Sequence, residues 1–236
     1  MPELFPVLHD DDDLLIVDKP AGLVCHPTKD GEWSSLIGRV RLYLGHAEGR
    51  LVNRLDRETS GIIVIAKSAA VAGELGRLFS TRAVRKTYLA LVEGHISSES
   101  LHLTGSIGDD DDSPVAIKAC VRDDGAAAET DVVVLRRWEH DSLAYSRVRV
   151  EPRTGRKHQI RVHLAHAGHP IVGDKLYGSD QHRYLRFVEG RLTDDDRQAL
   201  RLPYHALHAA ALSWTWRERA YAVEAPEPGM MARFSG

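Results

Sequence analysis

Short, near-continuous aliphatic runs constrain the fold of this chain more than any other feature. GIIVIAKS, beginning at Gly61, predicts a buried strand, and LLIVDKPAGL predicts a strand that ends in a Pro-Ala-Gly turn. SSLIGRVRLYLG has apolar residues at a helical period and stops at Gly45, while AAVAGELGRLF predicts a helix capped by Ser68. Strands and helices therefore alternate early in the chain.

The middle of the chain is rich in predicted strands. AVRKTYLALVEG alternates like a strand, and four further strands are predicted in LHLTGSIG, PVAIKACV, TDVVVLRRW and SLAYSRVRVEP. GRKHQIRVHLAHAG predicts a helix that buries Ile160, Leu164 and Ala167, and HALHAAALSWTW predicts a closing strand. The pattern indicates an α+β protein with a mixed, mostly antiparallel sheet, and we expect one domain over residues 1–236. Asp180 to Leu202 is the stretch with the weakest pattern.

Composition narrows the class of protein. Of 236 residues, 43% are hydrophobic and 28% are charged, which is typical of a globular protein with a core. The longest apolar runs are too short to span a membrane, and the first residues lack the pattern of a signal peptide. Two cysteines, Cys25 and Cys120, are too few for a disulfide framework, so we expect a protein of the reducing cytoplasm.

Charge is distributed unevenly around a net value of −3. Acid is concentrated at Asp10 to Asp13, Asp109 to Asp112 and Asp194 to Asp196, and we expect these runs to be solvated. Residues 147–163 instead contain six basic residues against one acid, which suits a phosphate backbone. A second basic cluster consists of Arg77, Arg82, Arg85 and Lys86. The alternative is that both clusters are ordinary solvated charges.

Asp56, in the stretch LVNRLDRETSG, is the first candidate for catalysis. It lies in a connector where a strand pattern breaks, and connectors often carry chemistry. A neighbouring arginine would keep its carboxylate ionised even where water is excluded, ready to act as a nucleophile or a base. The alternative is that Arg54 or Arg57 pairs with Asp56 only to hold the turn.

Arg161 and Tyr88 are further candidates. Arg161 falls at the edge of the buried face of its predicted helix, where a guanidinium needs a carboxylate partner, and Asp56 could be that partner. A surface arginine is the alternative. Tyr88 lies within a predicted strand, where it is either part of the core or a platform on which a base stacks.

Metal and cofactor signals are weak. His158, His163, His166 and His169 do not form a convincing zinc pattern, because His169 stands beside Gly168 and Pro170 where the helix should stop. The chain has no Walker loop, dinucleotide fingerprint or nucleophile elbow. We therefore expect no metal and no cofactor.

Four blocks in this order resemble the RluA family of pseudouridine synthases. The blocks are LLIVDKPAGLVCHP, NRLDRETSGIIVIAKS, RKTYLALVEG and EPRTGRKHQIRVHLAHAGHPIVGDKLYG, and HALHAAALSWTW looks like the family's closing strand. The resemblance spans nearly the whole chain, and the R-L-D-x-x-T-S-G and G-R-x-H-Q-[IL]-R-x-H strings are both long and specific.

The resemblance implies a function and roles for single residues. It implies the pseudouridine synthase fold, in which a sheet in two halves with flanking helices surrounds a central RNA-binding cleft. It also implies isomerisation of uridine in ribosomal RNA or tRNA. It implies that Asp56 is the essential catalytic residue, that Tyr88 packs against the target base, and that Arg161 pairs with the catalytic carboxylate. Arg54 would face the RNA and help displace the base. We expect Arg153, Arg156, Lys157 and His158 to contact RNA.

Two departures from the family pattern are visible. The family usually has His before R-L-D, whereas this chain has Asn53. Many members carry an N-terminal S4 RNA-binding domain, and here the first catalytic strand begins by about Leu14, so we expect a short form without that domain. We expect a monomer that binds structured RNA and no membrane. A catalytically inactive RNA-binding protein of the same fold is the alternative.

Overall fold

The computed structural model describes residues 4–27 and 31–235. Its contacts divide the chain into two compact units. The first unit comprises Met1–Lys86 and His208–Pro228, and the second comprises Thr87–Leu207 and Gly229–Gly236. Among the residues described, no helix combines the length and the apolar character that a membrane crossing requires.

The secondary structure is as follows. The strands are β1 (Val7–Asp10), β2 (Leu14–Lys19), β3 (Arg50–Leu51), β4 (Ser60–Ala66), β5 (Arg85–Glu93), β6 (Ser100–Thr104), β7 (Ile107–Asp109), β8 (Ala119–Val121), β9 (Glu129–His140), β10 (Leu143–Pro152), β11 (Leu207–Trp216) and β12 (Arg219–Glu224). The α-helices are α1 (Leu36–Leu44), α2 (Ala69–Ser80), α3 (Gln159–His166), α4 (His182–Val188), α5 (Asp194–Leu200) and α6 (Gly229–Ser235), with a short 3₁₀ helix at Glu32–Ser34.

Strands β2 and β4 in the sheet of the first unit are buried on both faces. β2 pairs antiparallel with β1 and β4, β4 pairs antiparallel with β3 and parallel with β11, and β12 pairs antiparallel with β11. Ile62 and Val64 of β4 pack on the face that α2 covers, and Ile63 and Ile65 pack on the face that α1 covers. This double burial explains why β4 reads as an unbroken aliphatic run.

The sheet of the second unit is antiparallel. β10 pairs with β5 and β9, and β9 pairs with β6, while β7 and β8 form a separate hairpin. Helix α3 lies between two cores, because Ile160 and Leu164 pack with the strands of the sheet and Val162 packs with Ile107 of the hairpin. Helix α3 is therefore nearly surrounded, which accounts for its buried polar residues.

Most predicted elements are present, and four expectations need correction. The predicted strand LHLTGSIG is divided between β6 and β7, which belong to different sheets. The predicted strand PVAIKACV is only Ala119–Val121, because the preceding residues form a turn closed by the Lys118 N–H and the Val115 carbonyl. Ala167 follows the end of α3 and is only half-buried. Asp196 is buried rather than solvated, since it forms a capping box with Thr193.

Candidate active site

Asp56 lies in the connector between β3 and β4, and its side chain is half-buried. The Asp56 carbonyl accepts a hydrogen bond from the Thr59 N–H at 3.2 Å, which closes the turn that leads into β4. Arg54 and Arg57 are both exposed. The predicted position of Asp56 in a connector is therefore confirmed, and its role in catalysis stays a prediction.

A buried lysine, Lys19, bonds to the backbone of this connector. Lys19, at the end of β2, is 0% exposed, and its Nζ donates to the carbonyls of Pro20, Leu23 and Arg57 at 3.0, 2.9 and 3.1 Å. All three ammonium hydrogens are thus used to tie the Pro-Ala-Gly turn to the Asp56 connector.

Lys19 is also the cation that the sequence analysis missed. Burial lowers the pKa of Lys19 to about 8, and the nearby charges of Cys25, Asp56 and Asp18 oppose that shift. Lys19 is therefore mostly protonated at neutral pH, and its interaction with Asp56 favours the ionised carboxylate. A lysine at the end of the aliphatic run LLIVDK was the available signal, because a buried lysine needs acceptors and a nearby anion.

Asn53, which stands where the family usually has His, has a structural role. Its side-chain Nδ2 donates to the Ile62 carbonyl at 3.1 Å, and its Oδ1 accepts from the Val64 N–H at 2.8 Å. The Val52 N–H also donates to the Val64 carbonyl. Asn53 therefore extends the pairing of β3 with β4 and fixes the chain just before Arg54.

The Ser60-Gly61 pair fixes the other end of the connector. Gly61 has a φ of +112°, and a Cβ there would lie 2.3 Å from the Ala209 carbonyl oxygen of β11. Ser60 Oγ lies 2.9 Å from His208 Nδ1, and both side chains are buried. Burial lowers the pKa of His208, so the pair is uncharged at neutral pH. At position 61, only glycine allows so close an approach of the β4 and β11 backbones.

Arg161 belongs to the second unit and is buried in α3. Its Nε and Nη2 donate to Oδ2 and Oδ1 of Asp174 at 2.7 and 2.9 Å, and the two side chains are 8% and 0% exposed. The guanidinium also lies 4.9 Å from the centre of the Tyr177 ring. Arg161 is therefore a buried cation with a carboxylate partner, as expected, and Asp174 is that partner. The predicted pairing of Arg161 with Asp56 stays a prediction.

Asp174 is a second residue that the sequence analysis missed. Its Oδ1 accepts from the backbone N–H groups of Leu176 and Tyr177 at 2.9 and 3.0 Å. Burial alone would raise the pKa of Asp174, but the Arg161 guanidinium and the backbone donors hold it well below its usual range. Asp174 therefore stays ionised and locks the rotamer of Arg161.

Tyr88 lies in β5, opposite Val150 of β10, and packs half-buried against the core of the second unit. The Tyr88 ring is only partly covered, which fits both a place in the core and a platform on which a base stacks. Its stacking on a base stays a prediction.

The predicted RNA-contacting stretch is on the surface but is engaged within the second unit. Arg153 forms an ion pair with Asp131, and Lys157 pairs with Asp109 at 2.9 Å. Arg156 Nε donates to the Ala127 carbonyl at 3.1 Å, and His158 Nδ1 lies 2.8 Å from the Tyr177 hydroxyl. RNA phosphates would therefore have to compete with carboxylates at Arg153 and Lys157.

The remaining histidines have ordinary partners. His163 is buried between Thr130 Oγ1 and the Gly105 carbonyl, and burial lowers its pKa. His169 Nδ1 lies 3.0 Å from the Glu93 carbonyl. Within the part of the chain that the structure describes, no three His, Cys, Asp or Glu side chains are grouped so as to hold a metal ion.

Comparison with known proteins places this geometry in a family. The family described as RNA pseudouridylate synthase matches residues 13–166, a segment that contains Asp56, Tyr88 and Arg161. "Ribosomal large subunit pseudouridine synthase D" of Nitrosomonas europaea is 33% identical over 244 residues, covering 96% of this chain and 63% of that protein. An "Uncharacterized RNA pseudouridine synthase" of Aquifex aeolicus is 35% identical over 192 residues, covering 75% of this chain and 58% of that protein.

A solved structure agrees with the sequence relatives. "Human RNA Pseudouridylate Synthase Domain Containing 1" superposes with a TM-score of 0.76 at 28% identity, covering 97% of this chain and 86% of that one. This likeness confirms the predicted α+β pseudouridine synthase fold. The chain spans about three fifths of the length of the two curated relatives, at 63% and 58%. The chain therefore belongs to the RluA family of RNA pseudouridine synthases, which act on RNA.

Proposed function

We propose that this protein is an RNA pseudouridine synthase that isomerises uridine within RNA. The observation that carries the proposal is the Asp56 connector. Its R-L-D-x-x-T-S-G string lies inside the family match, and contacts of Lys19, Asn53 and Gly61 tie it to the neighbouring strands. A carboxylate beside a buried cation suits a reaction that needs a nucleophile or a base.

The reaction requires one bond to break and another to form. The N1–C1′ bond of uridine is cleaved and the uracil rotates. C5 then bonds to C1′ and loses its proton, and N1 takes up a proton, so that the atoms balance. Asp56 would either attack as a nucleophile or remove a ribose proton and later assist rejoining. The isomerisation is redox-neutral and consumes no second substrate, so independence from metals and cofactors stays our prediction.

The substrate class that we propose is ribosomal RNA of the large subunit, with tRNA as the alternative. The name of the Nitrosomonas relative supports the first choice. A uridine in structured RNA must be flipped out at a cost of a few kcal/mol. We propose that stacking on Tyr88 returns about 1–3 kcal/mol of this cost, and that Arg54 helps to displace the base.

We propose that Arg153, Arg156, Lys157 and His158 contact the RNA backbone. At Arg153 and Lys157, phosphate would replace Asp131 and Asp109, so the net gain for each contact would be reduced. A monomer in the cytoplasm remains our expectation. The free thiols of Cys25 and Cys120 support a reducing compartment.

The test is to incubate the wild-type protein with transcribed large-subunit ribosomal RNA and transcribed tRNA, and then to map pseudouridine. We expect pseudouridine at defined positions, with no free uracil. RNA binding without any conversion would instead support the inactive RNA-binding protein, and release of uracil would indicate a nucleoside hydrolase.

A further inference from the structure

Four basic residues at the C-terminal end of α2 form a surface that the proposed active site does not use. This α2-end surface consists of Arg77, Arg82, Arg85 and Lys86, of which only Lys86 is partly buried, with its Nζ 5.3 Å from the centre of the Phe79 ring. Among the described residues, Arg77 and Arg82 form no ion pair. Glu74, one turn before Arg77, is already bonded to Trp216 and Arg217.

The α2-end surface therefore differs from the basic stretch of the second unit. There, Asp131 and Asp109 already neutralise Arg153 and Lys157. Arg77 acts on Glu74 only through its charge, so a phosphate at Arg77 or Arg82 displaces no bonded carboxylate, whereas a phosphate at Lys157 must displace Asp109. Unpaired guanidinium groups are the better phosphate ligands.

The course of the chain brings the α2-end surface back toward Asp56. β4 runs away from the Asp56 connector, and only Lys67 and Ser68 separate it from α2. A strand of seven residues rises about 20 Å, and a helix of twelve residues about 17 Å. Trp216 Nε1 donates to Glu74 at 2.8 Å, and Trp216 lies at the end of β11 remote from Ser60 and its partner His208. Helix α2 therefore returns beside β4, and it ends near the edge where the Asp56 connector lies.

The backbone at Arg82 provides an independent observation. Arg82 has a φ of +63°, and the Ala83 N–H donates to the Leu78 carbonyl at 2.9 Å, which is the bond that ends a helix with a left-handed residue. Glycine is favoured at this position, because a side chain there strains the backbone. Arg82 therefore places a long cationic side chain at a position where glycine, which has no side chain, would be less strained.

We propose that Arg77 and Arg82, with Arg85 and Lys86 beside them, bind phosphates of the RNA substrate next to Asp56. This proposal rests on the proposed function and names the surface of the first unit that the RNA occupies. Contacts of this kind are independent of sequence, so the surface contributes affinity and orientation rather than choice of the uridine.

The test measures binding of fluorescein-labelled, transcribed large-subunit ribosomal RNA by anisotropy between 50 and 300 mM salt. The variants are Arg77→Gln, Arg82→Gly and their combination. Arg82→Lys is the conservative control, and Arg191→Gln is the charge-matched control because Arg191 is exposed and already paired with Glu189.

We expect the double variant to lose about tenfold in affinity at 0.1 M salt, and its salt slope to fall by about 1–2. We expect Arg82→Gly to raise the unfolding temperature by about 2–4 °C while weakening binding, which a merely structural arginine would not do. Arg82→Lys should bind nearly as wild type does.

Two results would overturn the proposal. The first is wild-type affinity and slope in the double variant, measured while the wild-type protein converts uridine. The second is an equal loss in Arg191→Gln, which would indicate a general effect of charge. If the wild-type protein neither binds RNA nor forms pseudouridine, the proposed function fails as well, and this outcome is distinct from the first two.

Discussion

Removal of the Asp174 carboxylate tests how strongly the structure holds Arg161. The ion pair is bidentate and almost completely buried, and Asp174 Oδ1 also accepts two backbone hydrogen bonds. Because removing the charge of one partner in a buried bidentate ion pair is costly, we expect Asp174→Asn to lower the free energy of unfolding by about 3–5 kcal/mol. Asp174→Ala should cost about 1–3 kcal/mol more, since it also deprives the N–H groups of Leu176 and Tyr177 of their acceptor.

The assay is urea unfolding at pH 7, repeated toward acid pH. The folded-state pKa of Asp174 lies below the usual aspartate value, so the stabilisation is fully present above that usual value and declines as pH falls through the folded-state pKa. The gap between wild type and Asp174→Asn should therefore narrow in acid. The control is Glu189→Gln, which breaks an exposed pair and should cost about 0–1 kcal/mol. A loss below about 1 kcal/mol in Asp174→Asn would refute this reasoning.

Three further perturbations test the Asp56 connector by urea unfolding. Gly61→Ala should lower the free energy of unfolding by more than about 4 kcal/mol, because its Cβ would meet Ala209. The control Gly73→Ala, in the exposed part of α2, should stabilise the fold by about 0.5–1 kcal/mol. Equal effects of the two substitutions would contradict the close approach at Gly61. Asn53→Ala should cost about 1–3 kcal/mol for two lost hydrogen bonds, and a neutral result would remove its structural role. Lys19→Met should cost at least about 2 kcal/mol by leaving three carbonyls without their donor, and a gain in stability would contradict this.

Local features of the fold were accessible from the sequence. Ser68 caps α2 by accepting from the Val71 N–H, and Gly45 ends α1 with a φ of 72°, both as the pattern predicts. These features depend on residues a few positions apart, so their chemistry is visible in a short window of sequence. The buried strand β4 was equally evident, because burial on both faces selects aliphatic residues throughout.

The partners of the candidate residues could not be predicted from the sequence. Lys19 bonds to the Arg57 carbonyl 38 positions away, and Arg161 pairs with Asp174 across 13 positions and a chain reversal. No periodicity links such residues, because folding alone brings them together. The acidic stretch at Asp109 was expected to be only solvated, yet it pairs with Lys157 of the predicted RNA-contacting stretch.

The central claim is that the Asp56 carboxylate is the catalytic group, and Asp56→Asn tests it most directly. The variant preserves the shape of the side chain and removes its charge. Pseudouridine formation in transcribed large-subunit ribosomal RNA would be compared with that of the wild-type protein, with RNA affinity measured in parallel. We expect the rate to fall at least about a thousandfold while the RNA affinity is retained. An Asp56→Asn protein that converts uridine at nearly the wild-type rate would contradict the account.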